Sequence, residues 1–186
     1  MSYLKRHGWV NSLRAGFQSG SVGFDFFKVT VDLTADGLVH YKDVAMTIYK
    51  YIHLLRSVPP QEHVFKEIKA LSDIGFRFVE RGHASSYASE LSTQLQQPVP
   101  REKIISSQWL IERFDPEELK DAVQLLDIRR SVITVTAKNM PADVGPLDKA
   151  EPVYGTKYRR DKIPEEFIKE VCWNPASRDI ADSCRL

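Results

Sequence analysis

Five histidines, His7, His40, His53, His63 and His83, are the first place to look for chemistry. A protein zinc site takes three or four ligands brought to one point. None of the five lies in H-E-x-x-H or H-x-x-E-H, the spacings that set two imidazoles and a carboxylate on one helix face. His63 and Glu67 fall one helical turn apart, which reads as an exposed side-chain pair. His40 and His53 have no third ligand in view. No G-x-S-x-G, Walker or dinucleotide loop is present, and Gly16, Gly20 and Gly23 neither have nucleotide-loop spacing nor open a helix. Glu117 and Glu118 are accounted for by a helix dipole. Arg129-Arg130 and Arg159-Arg160 read as solvated surface. The only cysteines, Cys172 and Cys184, stand near the C-terminus and read as free thiols of a reducing compartment. The residues therefore predict no catalytic group and no metal site in this chain.

A different kind of site comes from the stretch Gly8 to Thr34, GWVNSLRAGFQSGSVGFDFFKVTVDLT. Val10 to Phe17 alternates, with Leu13, Ala15 and Phe17 on one face and Ser12, Arg14 and Gly16 on the other. Gly23 to Leu33 alternates Phe27, Val29, Val31 and Leu33 against Lys28, Thr30 and Asp32. Period two over such lengths marks half-buried strands, and Gln18-Ser19-Gly20-Ser21 between them has turn composition. A β-hairpin is expected. Its first strand carries small side chains, so another backbone can approach, and an extended peptide can add to it by β-augmentation. The competing reading is that an upstream strand or a partner domain already covers that edge.

The remaining elements are those needed to cover the hairpin's apolar face. Residues 2–7 are helix-compatible, and Gly8 caps them. Thr34 to Gly37 reads as a turn. Val44, Ile48, Tyr51, Ile52 and Leu55 predict a helix over about 40–57. Pro59-Pro60 separates it from a second, marked by Val64, Ile68, Leu71, Gly75 and Phe78, where Gly75 suggests close packing against a neighbour. Tyr87, Leu91 and Leu95 predict a third, and Glu102 to Phe114 a short fourth. Asp115-Pro116-Glu117-Glu118 is a strong helix start, running to about Leu126. Ser131 to Ala137 reads as a buried strand, Asn139 to Ala150 as a loop and Pro164 to Cys172 as a helix. The last dozen residues read as a disordered tail. The order predicts an α+β fold, an antiparallel or mixed sheet covered on one face by helices.

Composition narrows the class without naming it. With 186 residues, 42% hydrophobic and 27% charged, the chain has the make-up of an ordinary folded domain. A net charge of +1 gives no argument for nucleic acid or an anionic membrane. No run of 18 apolar residues predicts a transmembrane span, and no signal peptide is read at the N-terminus.

Three blocks in order carry a family resemblance. GWVNSLRAGFQSGSVGFDFFKVTVDLTADGL, PQEHVFKEIKALSDIGFRFVER, and Tyr154-Gly155-Thr156-Lys157-Tyr158 with Ile163-Pro164 resemble the insulin-degrading enzymes and the fungal a-factor-processing enzymes, inverted zinc metallopeptidases of the pitrilysin family. The likeness runs from about Tyr3 to Ile168. It falls on the second of the four homologous α+β domains of such enzymes, and implies residues 1–159 as that non-catalytic domain, with 160–186 as linker and divergent tail. Zinc and the general base belong to the family's first domain, so the resemblance implies no cofactor in this chain and no hydrolysis by it alone. It also implies a chain that is N-terminally incomplete, lacking the domain's first strand and helix. The second domain forms a wall of the catalytic chamber and anchors peptides on a strand that aligns with Leu13, Arg14, Ala15, Gly16 and Phe17. Ala15-Gly16 replaces a frequent Gly-Gly, and Phe17 stands where a polar residue is common. The implied partners are extended peptide substrates and a catalytic domain or full-length relative, in the cytoplasm, with no nucleic acid and no membrane. A stand-alone peptide-binding or regulatory module, or a non-functional truncated product, remains the alternative.

Overall fold

The computed structural model describes residues 1–173 apart from Val22 and Arg81, the side chains of Ser19, Cys172 and Trp173 excepted. The predicted C-terminal tail lies outside the described residues, as do the two thiol groups. The chain divides into two compact units. The first comprises Met1–Gly20, Asp25–Val58 and the chain from Ala122 onward; the second comprises Ser21–Phe24 and Pro59–Asp121.

The first unit is built on the hairpin. Helix α1 (Ser2–Arg6) ends where Gly8 takes φ +72° and its N–H donates to Lys5 O at 3.0 Å. A left-handed residue just past a helix end is where glycine carries no Cβ penalty. Strands β1 (Val10–Ser21) and β2 (Phe24–Leu33) form a two-stranded sheet. A two-residue connection allows only antiparallel pairing. The reversal is at Gly23, φ +101°, so Gln18 to Ser21, expected as the turn, belongs to β1 instead. Polar, glycine-containing strand ends pair through their backbones whatever their side chains, which is why composition misplaced this turn.

Thr34 to Gly37, expected as a turn, opens the short helix α2 (Ala35–Val39), and α3 (Tyr41–Ser57) follows. Leu4, Val10 and Val44 are buried together, with Tyr3, Trp9, Leu13, Val31, Leu33 and Ile48 packed around them. The hairpin base is thus covered by α1 and α3 on one face, as the period-two pattern requires. A second cluster joins Met46 of α3 to Ile128 and to Ile168 and Val171 of α7 (Glu165–Trp173).

The predicted strand Ser131 to Ala137 pairs with no other strand among the described residues, and Val132 is 88% exposed. Strand preference is a preference for packing on a pleated surface, and no such surface meets this segment. Its start is held by a hydrogen bond between the Tyr49 and Ser131 hydroxyls. The expected loop over Asn139 to Ala150 is tied to α3 by Lys42, which donates to Asp143 at 2.6 Å; that carboxylate holds the ammonium pKa above its usual value. The loop ends in β3 (Lys149–Ala150), paired antiparallel with β4 (Lys157–Tyr158), a ribbon the sequence reading missed.

The second unit is α-helical. Helix α4 (Glu62–Arg77) stacks Phe65 on Phe114 with ring centroids 5.2 Å apart. Its other apolar stripe, Val64, Ile68, Leu71, Ile74 and Phe78, is exposed. Gly75, expected to mark close packing, has no heavy atom within 4 Å of the place a Cβ would take, because it lies on that uncovered stripe. Helix α5 (Ala84–Gln94) borders a small cleft that is lined in part by Leu91, Ile104, Ile105 and Gln108.

The expected helix over Glu102 to Phe114 is instead a 3-10 turn, Arg101–Lys103, followed by further turns. Ser106 and Ser107 both turn their hydroxyls onto the preceding backbone, competing with regular helix. Helix α6 (Pro116–Gln124) starts as predicted, with Asp115 Oδ1 accepting from the N–H of Glu117 and of Glu118, each at 3.1 Å. Asp115→Ala should lower stability by about 1 kcal/mol, read as a shifted urea midpoint at unchanged slope.

Candidate functional site

What fixes β1 is a knot of short-range contacts at its lower end. Thr34 is the hub. Its N–H donates to Trp9 O at 3.0 Å and its hydroxyl donates to Gly8 O at 2.7 Å. The same hydroxyl accepts from Gly37 N–H at 2.9 Å, capping α2. One side chain therefore ties the start of β1 to the end of β2 and to the following helix. Threonine suits this, since its hydroxyl serves a free helix N–H while its extended backbone continues the strand.

Aromatic stacking adds a second brace. Tyr3, His7, Trp9 and His40 form a continuous column with centroid separations of 4.6, 4.6 and 4.8 Å. Ring pairs at such distances contribute about 0.5–1.5 kcal/mol each beyond their buried area. His40 is further oriented by Asp43, whose Oδ2 lies 3.1 Å from its Nδ1. Spacing alone left His7 and His40 without a role; they pack β1 down. The signal that could have found the brace, read instead as a turn, is Thr34 followed by Asp36, a cap and an acidic first turn.

Above this brace β1 leaves the core. Val10 is 4% exposed and Phe17 82%. Leu13 is half-buried, and Arg14, Ala15, Gly16 and Phe17 are exposed. All five residues singled out for peptide anchoring thus lie consecutively on one strand. That strand has a single ladder partner, β2, so its opposite edge is unpaired among the described residues. Nothing stands within 4 Å of a Cβ at Gly16. Such an edge presents a row of N–H and C=O groups to an incoming chain.

The candidate metal ligands are not brought together. Among the described residues no three of His, Cys, Asp and Glu are placed to hold a metal ion. His63 and Glu67 are both exposed on α4.

Comparison with known proteins adds the family. A model described as the middle or third domain of peptidase M16 matches residues 76–182, more than half the chain. The chain belongs to the M16 peptidase family. The human insulin-degrading enzyme is 35% identical over 170 residues, 91% of this chain and 16% of the enzyme's own length. The a-factor-processing enzyme of Saccharomyces cerevisiae is 33% identical over 172 residues, 92% of this chain and 16% of that enzyme. The chain thus spans about a sixth of these M16 relatives. The crystal structure of pitrilysin shares the fold, with a TM-score of 0.80 at 21% identity over 97% of this chain and 18% of pitrilysin. The α+β, pitrilysin-type fold and the resemblance to insulin-degrading and a-factor-processing enzymes are both upheld. No described helix is long and apolar enough to cross a membrane.

Proposed function

We propose that this chain is the second, non-catalytic domain of a zinc metalloendopeptidase, residues 1–159, with 160–186 as linker and tail. It walls the catalytic chamber and anchors extended peptide substrates along Leu13, Arg14, Ala15, Gly16 and Phe17. Catalysis, zinc and the peptide bond that is cut belong to a separate catalytic domain, and the setting is the cytoplasm. The reading rests on one observation above others. The exposed half of β1 offers a strand edge, unpaired among the described residues and flanked by the small side chains of Ala15 and Gly16. Family membership and the similarity to an insulin-degrading enzyme and an a-factor-processing enzyme support peptides as the occupant.

The chemistry of β-augmentation explains why a peptidase would use such an edge. Main-chain hydrogen bonds hold any extended sequence, and side-chain positions alternate between faces, so recognition is broad and register-dependent. Each backbone bond contributes about 0.5–1.5 kcal/mol net. Four or five of them hold a peptide weakly, which suits an anchor that must release its product.

A fluorescein-labelled insulin B-chain peptide tests this by anisotropy. Saturable binding to the purified chain is expected, with no cleavage when zinc is added. Absence of binding, or zinc-dependent hydrolysis by this chain alone, contradicts the proposal.

A further inference from the structure

Resting on that peptide-anchoring reading, we infer a side-chain preference at the same edge: peptides carrying a carboxylate opposite Arg14 and a large apolar side chain opposite Phe17, three residues apart. Four observations carry it. Arg14 is exposed and has no ion pair or hydrogen bond to a side chain among the described residues. It is the only charged residue of β1. Among the described residues Phe17 is the most exposed large apolar side chain of the hairpin, at 82%, and stacks on no other ring. Finally, Gly16 between them leaves the approach open.

Strand geometry turns these into a spacing rule. Arg14 and Phe17 project from opposite faces, because successive residues alternate. A strand laid beside β1 must therefore present its two matching side chains on opposite faces, about 10 Å apart along the chain. A spacing of three satisfies this, whereas a spacing of two puts both on one face. The other charges of the hairpin, Asp25, Lys28 and Asp32, are on β2. A peptide at the outer edge of β1 lies roughly 4.8 Å from Arg14's strand and about twice that from β2. Arg14 is then the charge that dominates the choice, while the β2 charges stay beyond direct pairing.

Nine-residue fluorescein-labelled peptides, built from Ser, Thr and Val around one Glu and one Phe, test the rule by anisotropy at low salt. Peptides with Glu and Phe three apart, in both orders, are compared with those two apart and with Lys in place of Glu. Cross-strand pairs of this kind each correspond to about a 1.4- to fivefold change in affinity. The three-apart peptide in one of its orders should bind tightest, and Glu→Lys should weaken it about fivefold. Arg14→Glu should reverse the Glu-over-Lys ranking, and Phe17→Ser should erase the Phe advantage only. Both side chains are exposed, so far-UV circular dichroism should be unchanged in each variant. Equal binding of every peptide, with rankings unmoved by Arg14→Glu, overturns the inference and leaves the anchoring strand standing. Binding of none overturns both.

Discussion

Gly37→Ala will unfold the chain or cost it about 3 kcal/mol, the upper range for an overpacked site. Gly37 is buried, and a Cβ there would stand 1.9 Å from Trp9 O and 2.7 Å from Trp9 C. Those atoms are backbone, so no rotamer change relieves the contact. Nor is Trp9 O free to move, since Thr34 N–H donates to it at 3.0 Å. The neighbouring ring is held between His7 and His40. Accommodating one methyl would require giving up the Thr34 bonds, the α2 cap and the aromatic column together. Urea unfolding followed by tryptophan fluorescence reads the loss. Gly75→Ala is the control: the site is open and lies in the last turn of α4, so stability should hold or rise by up to about 0.5 kcal/mol.

Proline substitution in β1 should separate binding from folding. In a strand, successive N–H groups point to opposite edges. Of Ala15 and Gly16, one therefore faces β2 and the other faces the open edge. Proline removes the N–H and is tolerated in strands only where that group faces solvent. One of Ala15→Pro and Gly16→Pro should keep the native circular dichroism and lose at least tenfold in peptide affinity, from one missing bond and a ring that obstructs the neighbouring strand. The other should break the β1–β2 ladder and lower the unfolding midpoint. If both variants fold and both bind the peptide as the parent does, the edge is not the binding surface.

Much of this was legible in the residues. The hairpin announced itself through Phe27, Val29, Val31 and Leu33, because a half-buried strand leaves a period-two record. Helices α3, α4 and α6 were legible from their apolar spacing and from the Asp115-Pro116 start. Local chemistry misled where a tertiary partner decides the outcome. Ser131 to Ala137 has the β-branched content of a strand but meets no ladder partner among the described residues. Ser106 and Ser107 divert their backbone into turns. The brace that aims β1 was the least legible part. Trp9, Thr34, Gly37 and His40 act through contacts across 25 to 31 residues of sequence, and no local pattern records that Gly37 must lie against Trp9 O.

The most direct test is amide hydrogen exchange by NMR on the 15N-labelled chain, with and without excess insulin B-chain peptide. In the free protein one alternating set of amides within residues 13–17 should be protected by β2. Added peptide should newly protect the other set, and only that set, along this stretch. Peptide binding with no new protection between Leu13 and Phe17 would contradict the account.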